Sequence, residues 1–473
     1  MTNPRLRHTL LAAAAVAALG AGTAVAVVLA RGSRDVTTTS QEAFEAYQKG
    51  REEERRLYAK DALASYARAL EFDPHFTMAT LRLAGIVAGR DRERAKSLVQ
   101  CAARNHGPLN PREELTLAIV SADVLERDQK KVGELVREYV KRFPDDPEGY
   151  FRLAGILMKE GKSEETLATY ERLVALDPNQ AIAYNYLGYW FIGRRDFVKG
   201  EDYLKRYRFL APEQANPYDS LGELYANTGR YDEAEEHLKR ALEIKPDFFP
   251  AVGHLGTLEI GRGNPAAAAE WYLRAGEMAE TWKDKHNFAG AAVTALLDAG
   301  RADAALELLD KAGTDVPELS GREELFFRFH FGRSRAVVLA LGGRVAEAEA
   351  ELAKLPAFPD DLDPKEREAL EGSLAGPRAA IAGANGNLGE AVRLLRELLG
   401  ADKDRPAGDF PYYPATFRLR ARLGDALVTL GRPEEAREEL RPVLSVNPRF
   451  APALAVLTRI DGRERLPEGT AGR

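Results

Sequence analysis

From Gln41 to Ile460 the apolar residues, chiefly Leu, Ala and Tyr, recur at i, i+3, i+4 and i+7. That spacing places them on one face of a helix, and no run alternates with the period of two that a half-buried strand requires. The pattern predicts a chain of short amphipathic helices broken every 15 to 20 residues. Two kinds of break alternate. One is a glycine followed by a polar residue, at Gly161, Gly229, Gly263, Gly300, Gly343, Gly386 and Gly431. Glycine just past a helix accepts the left-handed conformation that other residues resist. The other break carries proline, as in FDPHF, LDPNQ, KPDFF and NPRF, where one helix stops or the next begins.

The predicted unit is therefore helix, Gly turn, helix, Pro turn. Leu187-Gly188, Leu221-Gly222 and Leu255-Gly256 lie 34 residues apart, as do Pro178, Pro212 and Pro246. Such a unit cannot bury its apolar face alone, so it must stack on its neighbours.

At this spacing the chain resembles the tetratricopeptide repeat family. Residues 215–248 carry Tyr218, Leu221, Gly222, Tyr225, Gly229, Tyr231, Ala234, Leu238, Ala241 and Pro246. Related sets recur in 43–76, 147–180, 181–214, 249–282 and 417–450, with Gly200 in 181–214 where the pattern has Ala. The stretches 77–110, 111–146, 286–318, 323–358 and 366–400 keep the Gly turn or the Ala–Leu spacing without the whole pattern. The resemblance implies an all-α, right-handed superhelical solenoid of about eleven repeats over 41–460. Pro452–Ile460 would cap it, and 461–473 would form a frayed tail. Gly222 and its equivalents would let the two helices of a unit approach closely.

The resemblance also implies a concave groove lined by first helices. It assigns to that groove Tyr47 and Arg51; Phe151, Met158 and Lys159; Asn185, Tyr189 and Ile192; and Asn216, Asp219, Glu223 and Asn227. Such a surface would take a protein or peptide partner through apolar anchors and hydrogen bonds. The paired Lys and Asn with which some members hold a C-terminal carboxylate are absent. Residues 36–248 are further similar to the repeat half of bacterial membrane regulators, but too few residues precede the apolar run for their kinase or winged-helix domain.

The N-terminus departs from the helical repeat. Residues 1–8 are short and basic, and Thr9–Ala30 is apolar and closed by Arg31 and Arg34. As a helix this run would reach about 33 Å, enough to cross a hydrocarbon core. We read it as a transmembrane signal anchor with the repeats outside the bacterial inner membrane. A cleaved signal peptide remains open, because Ala24-Val25-Ala26 and Val28-Leu29-Ala30 offer small residues at cleavage spacing. Residues 31–40 read as a polar linker.

Charge and chemistry narrow the function. The net charge is −6 and the basic residues are interleaved with Glu, which argues against nucleic acid. The single Cys101 allows no intrachain disulfide and is expected as a packed core thiol. No two of the seven histidines stand at i, i+4, so no helix offers a metal a His pair. GKS at 161–163 lacks the glycine spacing of a phosphate loop, and Gly383, Gly386 and Gly389 fall in a predicted turn. Asp residues in PDDLDP, 359–364, are expected to cap the next helix. The expected function is thus a non-catalytic, membrane-anchored interaction scaffold without metal or cofactor. The alternatives are an exported module for envelope or polysaccharide assembly, and an enzyme with a site hidden in 286–400.

Overall fold

The computed structural model describes residues 36–464 except 90, 320 and 401–412. The apolar run 9–30 and the tail beyond 464 lie outside the described residues. Among the described residues every regular element is helical, and no helix is long and apolar enough to cross a membrane. The chain divides after Arg142 into two compact units.

The first unit holds α1 (Gln41–Arg55), α2 (Ala59–Phe72), α3 (Thr77–Val87), α4 (Arg92–Asn105), α5 (Pro111–Ser121), a π-helical turn (Ala122–Glu126) and α6 (Gln129–Arg142). Ser40 caps α1 by accepting from the Ala43 amide. Gly50 lets α2 close in, because a Cβ there would meet the Tyr66 ring at 2.7 Å. Tyr47, Tyr66 and Phe76 fill the resulting core, with Tyr47 centred 5.7 Å from Tyr66 and 4.9 Å from Phe76.

Two expectations change here. The part of the expected linker that is described, 36–40, is docked. Val36 is buried. The Thr37 amide and hydroxyl each donate to the Glu113 carboxylate at 2.6 Å, and the Thr38 hydroxyl donates to Asp73 at 2.5 Å. Glu113 is buried and also accepts from the Asn110 amide, closing a capping box on α5. Cys101 is exposed on α4 rather than packed. Ala95, Val99 and Ala102 form the inner face of that helix, and a residue two places from Val99 lies roughly 200° around from it.

The second unit continues the helix pairs. These are α7 (Pro147–Lys159) with α8 (Ser163–Leu176), α9 (Ala181–Gly193) with α10 (Phe197–Leu210), and α11 (Ala215–Asn227) with α12 (Tyr231–Ile244). Next come α13 (Phe249–Arg262) with α14 (Pro265–Met278), and α15 (Trp282–Asp298) with α16 (Ala302–Thr314). Then follow α17 (Gly321–Leu341), α18 (Val345–Ala353), α19 (Pro364–Gly372), α20 (Ala375–Ala384) and α21 (Leu388–Gly400), and finally α22 (Tyr413–Thr429), α23 (Pro433–Val446) and α24 (Ala451–Glu464). All seven turn glycines named above have φ between 70° and 84°. Arg195 takes the same register as Gly229 with φ 62°, a conformation that costs a side chain steric strain.

Contact glycines bring the pairs together. A Cβ on Gly188, Gly222 or Gly256 would stand 2.7 Å from Leu204, Leu238 or Tyr272 respectively. The unit expected over 366–400 is built differently. Its first helix is broken near Ser373 into α19 and α20, and Asp363 caps α19 by accepting from the Lys365 and Glu366 amides.

The last helices also turn back within this unit. α24 packs on α22 and α23 and touches α13. The Tyr231 hydroxyl donates to Asn447 Oδ1 at 3.1 Å, and Asn447 Nδ2 donates to the Ala226 carbonyl at 3.3 Å. A Cβ on Gly229 would lie 2.5 Å from Asn447 Oδ1, and one on Gly263 would lie 2.8 Å from the Ala451 Cβ. Both turn glycines are thus needed for shape as well as for φ.

Candidate functional site

The first helices of successive repeats stack side by side, so polar residues on them can meet at steps near 34. Around α9, α11 and α13 they do. The Tyr189 hydroxyl donates to Glu223 Oε2 at 2.6 Å, and Glu223 Oε2 lies 3.7 Å from His254 Nε2. His254 Nδ1 is 2.7 Å from Asp219 Oδ1. Burial opposes the imidazolium, but the Asp219 and Glu223 carboxylates outweigh it, and the His254 pKa is pushed up to about 9. His254 is therefore charged at neutral pH and staples α11 to α13. Burial, then the charge on Glu223, holds the Tyr189 phenol protonated far above its usual range.

The structure brings Tyr189, Asp219 and Glu223 into one network and adds His254, which the groove register did not assign. His254 follows by one residue the α13 equivalent of Asp219, Gly253. It was visible in the sequence only as a histidine 35 residues beyond Asp219. Glu223 and Asn227 line an adjoining cavity of about 670 Å³.

Other assigned residues turn inward, which corrects their expected place. Tyr47 is 1% exposed and belongs to the core of the first unit. Asn185 is buried and accepts from the Ser220 hydroxyl at 3.0 Å. Asn216 is buried and donates to the Tyr207 hydroxyl at 3.1 Å. Ile192 is buried, and Asp219 is 3% exposed beneath His254. In each case the side chain is used in packing one helix on its neighbours, because buried polar atoms must find partners. Phe151 is half-buried with its ring edge-on to Tyr186 at 5.7 Å. Arg51 is half-buried on α1, while Met158 and Lys159 are exposed at the end of α7.

The far wall of the cavity comes from α15 and α22. Arg418 Nη2 is 2.7 Å from Asp298 Oδ2, and Arg422 Nη2 is 2.8 Å from Asp298 Oδ1. Burial depresses the Arg418 pKa, against the pull of Asp298. Phe249, Phe288 and Tyr272 supply ring surface between the walls. Gly253 permits this, since a Cβ there would stand 2.3 Å from the Phe288 ring. Among the described residues no group of His, Cys, Asp and Glu is placed to hold a metal ion. Gly161 and Gly386 lie in helix–helix turns.

Comparison with curated proteins gives no match. Two family profiles, both described as tetratricopeptide repeat, match this sequence, one over 220–248 and the other over 134–181 and 378–455. Similar solved structures include PilW, described as a widely conserved type IV pilus biogenesis factor, with 17% identity and a TM-score of 0.37 over 46% of this chain and 99% of that one. A tetratricopeptide repeat protein from Parabacteroides merdae has 17% identity and a TM-score of 0.41 over 56% and 98%. Yeast Tom70 has 15% identity and a TM-score of 0.43 over 82% and 96%. The profile matches coincide with helix pairs closed by left-handed glycines, and over 134–181, 220–248 and 378–455 the chain carries tetratricopeptide repeats.

Proposed function

We propose that this protein is a non-catalytic scaffold that holds a protein partner against the first helices of its second unit and is tethered to a bacterial membrane by residues 9–30. The observation that carries the partner reading is the Tyr189–Glu223–His254–Asp219 network. It fixes polar side chains from three successive repeats in one arrangement without closing them off, since Tyr189, Glu223 and Asn227 keep partial exposure. A surface already ordered loses less entropy when a partner binds. The tether rests on the length and flanking arginines of the apolar run, with the repeats placed outside the cytoplasm.

The partner reading is tested by a photo-crosslinking residue at Asn227 in full-length protein in native membranes, with the same residue at Phe209 as control. Phe209 is 72% exposed on α10, a second helix. One discrete crosslinked protein from position 227 and none from 209 is expected. Equal yield from both, or none from 227, would refute the assignment. The tether is tested separately by protease accessibility in intact spheroplasts, where digestion of the repeats with a membrane-retained N-terminal fragment is expected.

A further inference from the structure

α17 keeps the groove register through its own contact glycine. A Cβ on Gly332 would stand 2.7 Å from Leu355, as one on Gly222 would from Leu238. Arg333 therefore follows its glycine as Tyr189 follows Gly188 and Glu223 follows Gly222. His330 precedes Gly332 by the step that separates His254 from Gly256. The chemistry at these places is different from that of the regular repeats. α17 carries four arginines. Arg322 is 2.9 Å from Asp361, Arg328 is 3.5 Å from Glu324, and Arg335 is 2.8 Å from Asp310 and 2.9 Å from Glu351. Arg333 is half-buried, and among the described residues it has no carboxylate against it and no hydrogen bond. Its neighbours are bases too. His330 stands three residues before it and Phe327 three before that, a spacing that makes side chains adjacent on a helix. His286 of α15 lies against the Phe327 ring, 5.2 Å between centres. Burial, then Arg333, then His286 lower the His330 pKa. Burial lowers that of Arg333, and burial, against the Ala312 carbonyl, lowers that of His286. Among the described residues no carboxylate offsets any of the three. A guanidinium withdrawn from water without an anion is costly, and a carboxylate meets it with two parallel hydrogen bonds.

We propose that this stretch of α17 receives an acidic segment of the protein partner, with an Asp or Glu carboxylate paired to Arg333 and held beside His330. Charge complementarity selects the occupant. In the regular region Glu223 is already held by Tyr189 and His254, whereas Arg333 at the equivalent place is held by nothing. The acidic contact rests on the reading that a partner lies along the first helices of the second unit, and it adds the sign of the charge that partner brings.

The test is fluorescence anisotropy of dye-tagged hexaglutamate and hexaglutamine with the full-length protein in detergent. Hexaglutamate should bind about tenfold more tightly or better, and added salt should weaken it. Arg333→Gln should lose most of that difference. Arg328→Gln, which removes the same charge from the same helix, should keep it. Because Arg333 has no partner to lose, its variant should melt no earlier than the parent. Binding should tighten as the solution is taken from about pH 8 to about pH 6, since an anion beside His330 and His286 favours their charged forms, and His330→Gln should flatten that dependence. Equal affinity for the two peptides, unchanged binding in folded Arg333→Gln, or equal losses in the two arginine variants would overturn the acidic contact. So would binding of inorganic phosphate without binding of hexaglutamate, which would reassign the place to a small anion. The partner reading fails separately, by the absence of a crosslink from position 227. A crosslink there whose yield is unchanged by Arg333→Gln would leave the scaffold standing and overturn only the acidic contact.

Discussion

The helices from α9 to α13 and those from α17 to α21 use the same unit, but they are held in different ways. In the first region each pair closes on a glycine, Gly188, Gly222 or Gly256, pressed against one large residue of the second helix. In the second region α17 runs for 21 residues and α18 for only 9. The space left over is filled by Phe329, Leu362 and Leu370, with Phe326, Leu355, Phe358 and Leu374 packed around them. Repetition thus needs only one close contact per step, whereas a departure from repetition needs its own local core.

That contrast can be broken most strongly at Phe329, which is 1% exposed. Phe329→Ala should cost about 3–5 kcal/mol. If the filling is local, hydrogen exchange should accelerate in α17–α19 and leave α9–α13 protected. Equal acceleration in both regions would mean that the aromatic cluster supports the whole second unit. Gly222→Leu comes next, since even its Cβ would meet Leu238 at 2.7 Å. Overpacking there should cost about 1–3 kcal/mol in urea denaturation, and the same change at Gly389, where nothing lies near an added Cβ, should cost much less.

The polar side of the regular region gives a smaller, pH-dependent effect. The folded pKa of His254 is raised above its unfolded value. Its stabilising contribution is therefore complete below about pH 6.5 and is lost as pH rises through about 9. An NMR titration should place the His254 midpoint near 9 in the folded protein, and Asp219→Asn should lower it. The smallest effect is expected at Arg195, the non-glycine residue at a glycine register. Arg195→Gly should stabilise by roughly 0.5–1 kcal/mol, as strain relief outweighs the added chain entropy.

These differences also explain what could be read from the sequence. Gly222 and Gly229 were legible because each serves a contact or a turn that recurs at a fixed step. The inward turn of Asn185 and Asn216 was not, because their partners, Ser220 and Tyr207, are set by how deeply neighbouring helices interlock. Cys101 was misplaced because a helix assignment alone does not say which face a residue takes. The break between α19 and α20 falls at Ser373 and Leu374, where the apolar period gives no sign of it. The Arg418–Asp298 wall joins α22 to α15, and no spacing rule connects residues so far apart.

The return of Asn447 to Tyr231 and of Ala451 to Gly263 sets a limit on how this chain can change its length. An open array of stacked units tolerates gain or loss of a whole unit, because each end needs only its neighbour. Here the last helices must arrive at a fixed place on earlier ones. Deleting one helix pair between α15 and α21 would carry Asn447 away from the Ala226 carbonyl, and inserting one would carry it past. Between α11 and the C-terminal helices the number of repeats is therefore itself a structural parameter, counted by the return of Asn447 and Ala451 onto Ala226, Tyr231 and Gly263.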